Sequence, residues 1–398
     1  MFDIPKTMRA VVYRGVNDLR LETVPVPRIG KNEILVKVAV CGVCPTDIKK
    51  IRYGTVPPPR IFGHETAGTI VKIGDGVSRN GGRALALGDR VALHHHVPCL
   101  KCHYCRHRAF AQCETYKRTG ITAGFNPAGG GYAEYVRVMD FCLPGVVKIP
   151  ARNSFEEGAM LEPVNTVLKA VRRLNILRGD NVLVAGQGPI GLMFTRLLKL
   201  QGINVLATDL LDSRLKLAKK LGAKWILNMS SSGHESASID SSSALRVPHS
   251  AFPLDAAIIA VPSDAAIQQA MQLVRGGGQI LLFAHTKRNS GGSNGHQSAH
   301  SQSQSRLTSA AAIKKSGGQP SIFNLDFSSI CVDEKDLIGS YSSDFTLQRE
   351  VARLVFSRQL DMRPLITHRF PLDQTADAIA LAARPAENSL KIIVKVAP

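Results

Sequence analysis

Apolar positions in the first 150 residues come in short bursts rather than long periodic runs. Residues 10–13, 34–40 and 69–73 are such bursts, separated by Gly, Pro and Asn, and they read as β-strands. Pro5, Pro25, Pro27 and Pro57 to Pro59 would interrupt helices in this part of the chain. Beyond Ser154 the spacing changes. Ser154 followed by Phe155 and Glu157 reads as a helix start, and helical periodicity continues through Val171. Residues 181–185 then read as a strand, 190–200 as a helix, 205–208 as a strand, and 213–221 as a helix closed by Gly222. Further strands are expected at 255–261, 279–283 and 337–341, and the C-terminal segment returns to short strands, including 392–396. Alternating strands and helices predict an α/β protein, with a doubly wound parallel sheet behind a β-rich N-terminal part.

Two segments break this pattern. Residues 229–251 are rich in Ser. Residues 286–321 are rich in Ser, Gly and Gln, carry Lys287, Arg288, Arg306, Lys314 and Lys315, and contain no acidic residue. Both read as polar surface insertions. The chain has 398 residues, 44% of them hydrophobic, which suits a globular protein with two cores. Its formal net charge of +19 admits nucleic acid, a membrane surface or an anionic ligand as partner. The charges outside the second insertion are scattered, so a solvated basic surface is the simpler reading. No apolar run is long enough to span a membrane, and the N-terminal residues lack a secretory h-region, so a cytoplasmic location is expected.

Cysteine spacing carries the sharpest local signal. Cys99, Cys102, Cys105 and Cys113 follow C-x2-C-x2-C-x7-C. Four thiolates so spaced can surround one Zn²⁺ at about 2.3 Å, closing a structural site. Lys101, Arg106 and Arg108 would offset its negative charge. An Fe–S cluster or idle thiols explain the spacing less well. His94, His95 and His96 read as a strand leading into this lobe, not as further ligands.

Three distant motifs suggest a second, open site. Gly42-Val43-Cys44-Pro45-Thr46-Asp47 offers a thiol and a hydroxyl. Gly63-His64-Glu65 offers an imidazole and a carboxylate, and Leu161-Glu162-Pro163 a second carboxylate. A catalytic zinc needs about three protein ligands and an open position, which Cys44, His64 and one of Glu65 or Glu162 would supply. Each motif alone is weak, and together they are not. Cys41 lies in a C-x2-C with Cys44 but reads as packing.

A strand at 182–185 runs into Gly186-Gln187-Gly188-Pro189-Ile190-Gly191, and a helix follows. Gly186 permits a tight turn, Gly188 lets the backbone approach a pyrophosphate, and Gly191 lets helix and strand pack closely. The helix start at Pro189 and Ile190 then favours the phosphate charge. Asp209 ends the next strand, where a carboxylate accepts from ribose hydroxyls and repels a 2′-phosphate. NAD is therefore expected over NADP, with Arg214 as the residue that could tolerate the phosphate.

At these motifs the sequence resembles the zinc-containing medium-chain dehydrogenase/reductase family, in its sorbitol (iditol) and threonine dehydrogenase branch. GVCPTDIKK, GHETAGTIVKIG, GDRVALHHHVPC, GGGYAEYVRV, LEPVNTVLKA, VLVAGQGPIGLM and LIGSYSS carry the likeness, together with the cysteine lobe. The resemblance implies a GroES-like catalytic domain at 1–158 with its lobe at about 94–118, a Rossmann domain at 159–342, and a return to the catalytic domain at 343–398. It implies two zincs per chain, one catalytic and one structural, and a homodimer or homotetramer. It assigns Cys44, His64 and Glu65 to the catalytic zinc with Glu162 as the alternative carboxylate, and Thr46 to the proton path. The sequence departs from the family at Pro45, where Gly is usual, and at Lys49, where many members have a relay His. The expected reaction is hydride transfer from a secondary alcohol, such as a polyol or sugar acid, to NAD. A threonine-type amino alcohol or a phosphorylated polyol is the alternative. A zinc module binding nucleic acid, with the basic insertion as its tail, is the remote one.

Overall fold

The structure, a computed structural model, describes residues 2–77, 85–94, 97–119, 129–230, 253–284 and 327–396. The N-terminal part opens with the hairpin β1 (Thr7–Gly15) and β2 (Asp18–Pro25), turned at Asn17 with φ 55°. Then come β3 (Ile34–Gly42), α1 (Pro45–Tyr53), β4 (Arg60–Ile61), β5 (Glu65–Ile73) and β6 (Arg90–Ala92). The cysteine lobe holds α2 (His103–Arg106) and α3 (Glu114–Thr119). β7 (Tyr135–Val138) and β8 (Val147–Lys148) complete this part. β2-β1-β4 is a small antiparallel sheet. Val36, Val38, Ile70 and Val136 are buried where β3, β5 and β7 pair, so the short apolar bursts are strands that face a core.

α4 (Phe155–Ala159) begins at a full capping box. The Ser154 hydroxyl accepts from the Glu157 N–H, and the Glu157 carboxylate accepts from the Ser154 N–H. The single helix expected from the periodicity is two helices, because the chain turns at Met160 before α5 (Leu161–Val171). α5 buries Leu161, Val164, Val167 and Leu168 in one core that also contains Val40 and Ala67 from the first part and Val182 and Val184 from the next.

The second part is a six-stranded parallel sheet, built from β9 (Asn181–Ala185), β10 (Asn204–Asp209), β11 (Trp225–Asn228), β12 (Leu254–Ile259), β13 (Val274–Leu282) and β14 (Asp336–Gly339). Their order in space is β11-β10-β9-β12-β13-β14, so the winding reverses between β9 and β12. Helices α6 (Pro189–Leu200), α7 (Asp212–Leu221) and α8 (Asp264–Leu273) connect the strands. Val182, Leu183 and Val184 are all buried, as expected for a strand covered on both faces. β12 ends two residues earlier than expected and β13 starts five earlier. β14 stops at Gly339, because Ser340 and Tyr341 leave the sheet to line a cavity.

After α9 (Phe327–Cys331), the C-terminal segment is more helical than its sequence pattern suggested. It contains α10 (Gln348–Phe356), β15 (Ile366–Pro371), α11 (Thr375–Ala383) and β16 (Lys391–Lys395). β16 pairs with β3, which returns the chain to the first part and closes the sheet β15-β16-β3-β5-β6-β8, with β7 also on β3. His94, expected on a strand with His95 and His96, is not on one. β6 ends at Ala92, His94 lies buried beyond it, and His95 and His96 are outside the described residues. Residues 286–321 also lie outside them, as does all of 229–251 except Met229 and Ser230. Among the described residues no helix is long and apolar enough to cross a membrane.

Candidate metal and cofactor site

β3 ends at Gly42, and Cys44 caps α1 with an extended backbone, its sulfur accepting the Thr46 N–H at 3.5 Å. Pro45 is the first helical residue. Its missing N–H has no intrahelical partner to lose there, so the departure from Gly suits the helix start. Asp47, in the same first turn, is fully buried and lies 3.1 Å from His64 Nδ1. The imidazole is thereby oriented, with hydrogen bonding to Cys44 on the cluster side. Burial disfavours the imidazolium, but Asp47 and Cys44 outweigh it and hold His64 well above its ordinary range. Burial opposes ionisation of Asp47 too, yet the His64 charge keeps it below the usual carboxylate range.

Cys44, His64 and Glu65 each place a ligand atom within 4.8 Å of the other two. Residues from the end of β3 and the start of β5 thus converge although twenty residues separate them in sequence, because Gly42 and Glu65 are cross-strand partners. A Cβ at Gly42 would collide with the Glu65 carboxylate, so glycine is needed there. Glu65 is ion-paired to buried Lys391 at the start of β16, whose Nζ also donates to the Val43 carbonyl at 2.9 Å. Burial disfavours the Lys391 charge, and Glu65 and Cys44 more than restore it. Glu162, in the first turn of α5, is outside the three-residue cluster. Burial pushes its carboxyl up to about 7, the positive charge of His64 pulling the other way. Thr46 and Lys49 are half-buried on α1. Burial lowers the Lys49 ammonium, against the pull of Cys44.

Asp47, Lys391 and Tyr132 are the participants sequence reasoning missed. The Tyr132 hydroxyl is buried and donates to the Gly42 carbonyl at 3.3 Å. The one available signal was a carboxylate three residues after Cys44. Cys41 is buried, 3.5 Å from the Thr66 hydroxyl, and burial raises its thiol to about 12, which fits packing rather than ligation.

In the lobe, Cys99, Cys102, Cys105 and Cys113 also lie within 4.8 Å of one another. A tetrahedral zinc with 2.3 Å bonds requires sulfurs about 3.8 Å apart, so the set fits. The backbone N–H of Lys101 draws the Cys99 thiol down to about 6, and Cys99 N–H in turn donates to the Cys113 sulfur at 3.3 Å.

At the glycine turn, Gly186 has φ 89°, and a Cβ there would strike Val261. A Cβ at Gly191 would collide with the Gly186 carbonyl, whereas one at Gly188 would meet open space, where a ligand can approach. Pro189 starts α6. Asp209 ends β10, and its two carboxylate oxygens accept from Gln187 N–H at 2.6 Å and Leu211 N–H at 3.0 Å. Arg214 stands 3.9 Å from it.

A GroES-like β-rich part, a parallel sheet of order 3-2-1-4-5-6 with a glycine turn at its switch point, and two metal-competent clusters define a zinc-binding dehydrogenase. Residues 30–151 match the family described as alcohol dehydrogenase GroES-like domain, and residues 189–301 the family described as zinc-binding dehydrogenase. The chain belongs to the zinc-containing medium-chain dehydrogenase family, whose members use zinc and a nicotinamide cofactor to oxidise or form alcohols. It is 29% identical to a sorbitol dehydrogenase of Bombyx mori over 97% of this chain and 98% of that one. It is 28% identical to a sorbitol dehydrogenase of Bacillus subtilis over 98% of both. Among solved structures, a zinc-binding dehydrogenase from Sinorhizobium meliloti bound to NADP aligns with TM-score 0.76 at 25% identity, over 98% of this chain and 100% of that one. An alcohol dehydrogenase from Escherichia coli CFT073 in complex with NADH aligns with TM-score 0.77 at 24% identity, over 98% and 100%.

Proposed function

We propose that the protein oxidises a secondary alcohol of the polyol type with NAD, using one zinc at Cys44, His64 and a carboxylate and a second, structural zinc at the four-cysteine lobe. The convergence of Cys44, His64 and Glu65 at one point is the observation that carries this reading. The likeness to sorbitol dehydrogenases supplies the substrate class. Zinc, when bound, polarises the substrate oxygen, and the nicotinamide accepts the hydride.

The remaining roles belong to the chain. Asp47 fixes the ring of His64. Lys391 ion-pairs with Glu65 and so fixes the carboxylate of the three-residue cluster, and Glu162, whose carboxyl burial raises to about 7, is the alternative carboxylate for the zinc. Thr46 takes the proton of the substrate hydroxyl and passes it outward, with Lys49 beside the path. Gly186, Gly188, Pro189, Ile190 and Gly191 seat the pyrophosphate, while Asp209 and Arg214 frame the adenosine ribose. The domains are taken as 1–158, 159–342 and 343–398, and the assembly as a homodimer or homotetramer.

The test is a screen of polyols, sugar acids and threonine, each with NAD, read by NADH absorbance. Turnover of at least one polyol or sugar acid is expected, and silence across the screen would sink the reading. Asp209→Ala should cost NAD roughly 10- to 100-fold in KM while sparing NADP. An unchanged NAD-to-NADP ratio would remove Asp209 from the cofactor site.

A further inference from the structure

One face of α5 runs outward from the metal cluster and changes chemistry on the way. Glu162, Thr166, Lys169 and Arg173 are spaced four, three and four residues apart, so they follow one another along the helix and the turn that ends it. Lys169 and Arg173 line an open-sided cavity of about 350 Å³ together with Arg108 and Phe110 of the lobe and with Tyr341 and Asp344. Among the described residues, three cations and one carboxylate line it. One oxygen of that carboxylate is engaged locally, since Asp344 Oδ1 accepts the backbone N–H of Thr346 at 2.9 Å and its hydroxyl at 2.7 Å, while its charge still acts on Lys169.

The cations are held in place by the strand ends. Lys169 Nζ donates to the Tyr341 carbonyl at 2.8 Å, and Arg173 to the Gly339 carbonyl at 2.6 Å. An ammonium has three N–H donors and a guanidinium five, so these bonds leave capacity for a ligand. Burial lowers Lys169 against the pull of Asp344, Arg173 adds to the lowering, and an arriving anion would offset what remains. Tyr341 lines the cavity, and burial raises its phenol, with the charge of His64 pulling the other way. Lys169 is seven residues beyond Glu162, roughly 10 Å along the helix axis, which is the reach of a chain of roughly six carbons ending in an acid group.

We propose that this cavity receives the anionic end of a substrate whose hydroxyl sits at the metal cluster, so that carboxylate- or phosphate-bearing polyols are preferred over neutral ones. The proposal rests on the dehydrogenase reading above and names its substrate class. The experiment compares kcat/KM for D-gluconate, sorbitol 6-phosphate and sorbitol, with NAD and the zinc-loaded full-length protein. At least one of the two anions should exceed sorbitol tenfold or more, and which one it is separates carboxylate from phosphate. Lys169→Gln should shrink that ratio at least fivefold through KM for the anion, and Lys169→Arg should keep it. Sorbitol matching or beating both anions would overturn the proposal, as would a ratio that survives Lys169→Gln. If none of the three is oxidised, the dehydrogenase reading has failed on these substrates, and calorimetric titration of the same protein decides the cavity claim alone. Gluconate or the phosphate ester must then bind more tightly than sorbitol, and equal binding refutes it. Should Lys169→Gln not fold, inorganic phosphate must compete with the preferred anion in the wild-type protein, and its failure to compete has the same force.

Discussion

At Cys44, residue type and neighbourhood were legible together. A thiol followed by a hydroxyl, and elsewhere an imidazole followed by a carboxylate, are the donors an open zinc site needs, and the structure brings three of them within 4.8 Å. What positions them was not legible. Asp47 is one carboxylate among many in the sequence, and only the fold puts it 3.1 Å from His64 Nδ1 at zero exposure. Lys391 is 326 residues from Glu65 and carries no local pattern, because its partner is chosen by the pairing of β16 with β3. Asp47→Asn keeps the volume and removes the charge that orients the ring. It should weaken zinc affinity at the Cys44 site by about 10- to 100-fold. Competition with a chelator measures this, and an unchanged affinity would make Asp47 a bystander.

Among the elements, the glycine turn was read correctly in kind and, at Gly191, in mechanism. Close packing of helix on strand is visible as the collision that a Cβ would make with the Gly186 carbonyl. Gly191→Ala must push α6 away from β9, and the result should be loss of NAD binding or of folding, with a cost of at least 1–3 kcal/mol. Tryptophan fluorescence in a urea titration, run beside cofactor binding, checks it. Wild-type values for both would contradict the packing account. Boundaries were less legible. The break between α4 and α5 falls on the single residue Met160, which a periodicity summed over a window averages away. The C-terminal segment was expected as short strands, but α10 and α11 pack their apolar faces on the two cores, a long-range outcome that its short apolar runs do not specify.

Over the whole molecule, the alternation of strands and helices announced the parallel sheet, but not that β16 would return to β3 or that α5 would lie in a core shared with both sheets. Those are consequences of topology, and the family resemblance supplied the first of them. The catalytic sheet is also tied by Glu33, whose carboxylate accepts from Arg137 Nε at 2.8 Å and Nη2 at 2.6 Å and from Gly30 N–H at 2.6 Å. Burial pushes the Glu33 carboxyl up, but the Arg137 and Gly30 bonds outweigh it and lower it overall. A group lowered on folding stabilises above its unfolded value and loses that contribution as pH falls through the folded one. Glu33→Gln should therefore cost about 1–3 kcal/mol near pH 7 in denaturant titration, and the gap from wild type should close below pH of about 4. A gap independent of pH would show that the ion pair contributes nothing.

The central claim is that two separate metal clusters, one structural and one catalytic, serve a single dehydrogenase. Metal content and turnover measured side by side in wild type, Cys44→Ala and Cys102→Ser test it most directly. The account predicts two zincs per chain in the wild type and one in each variant. Cys44→Ala should lose turnover by on the order of 10³-fold or more while still binding NAD, and Cys102→Ser should lose stability first. Full turnover by Cys44→Ala, or a wild type active without zinc, would contradict it.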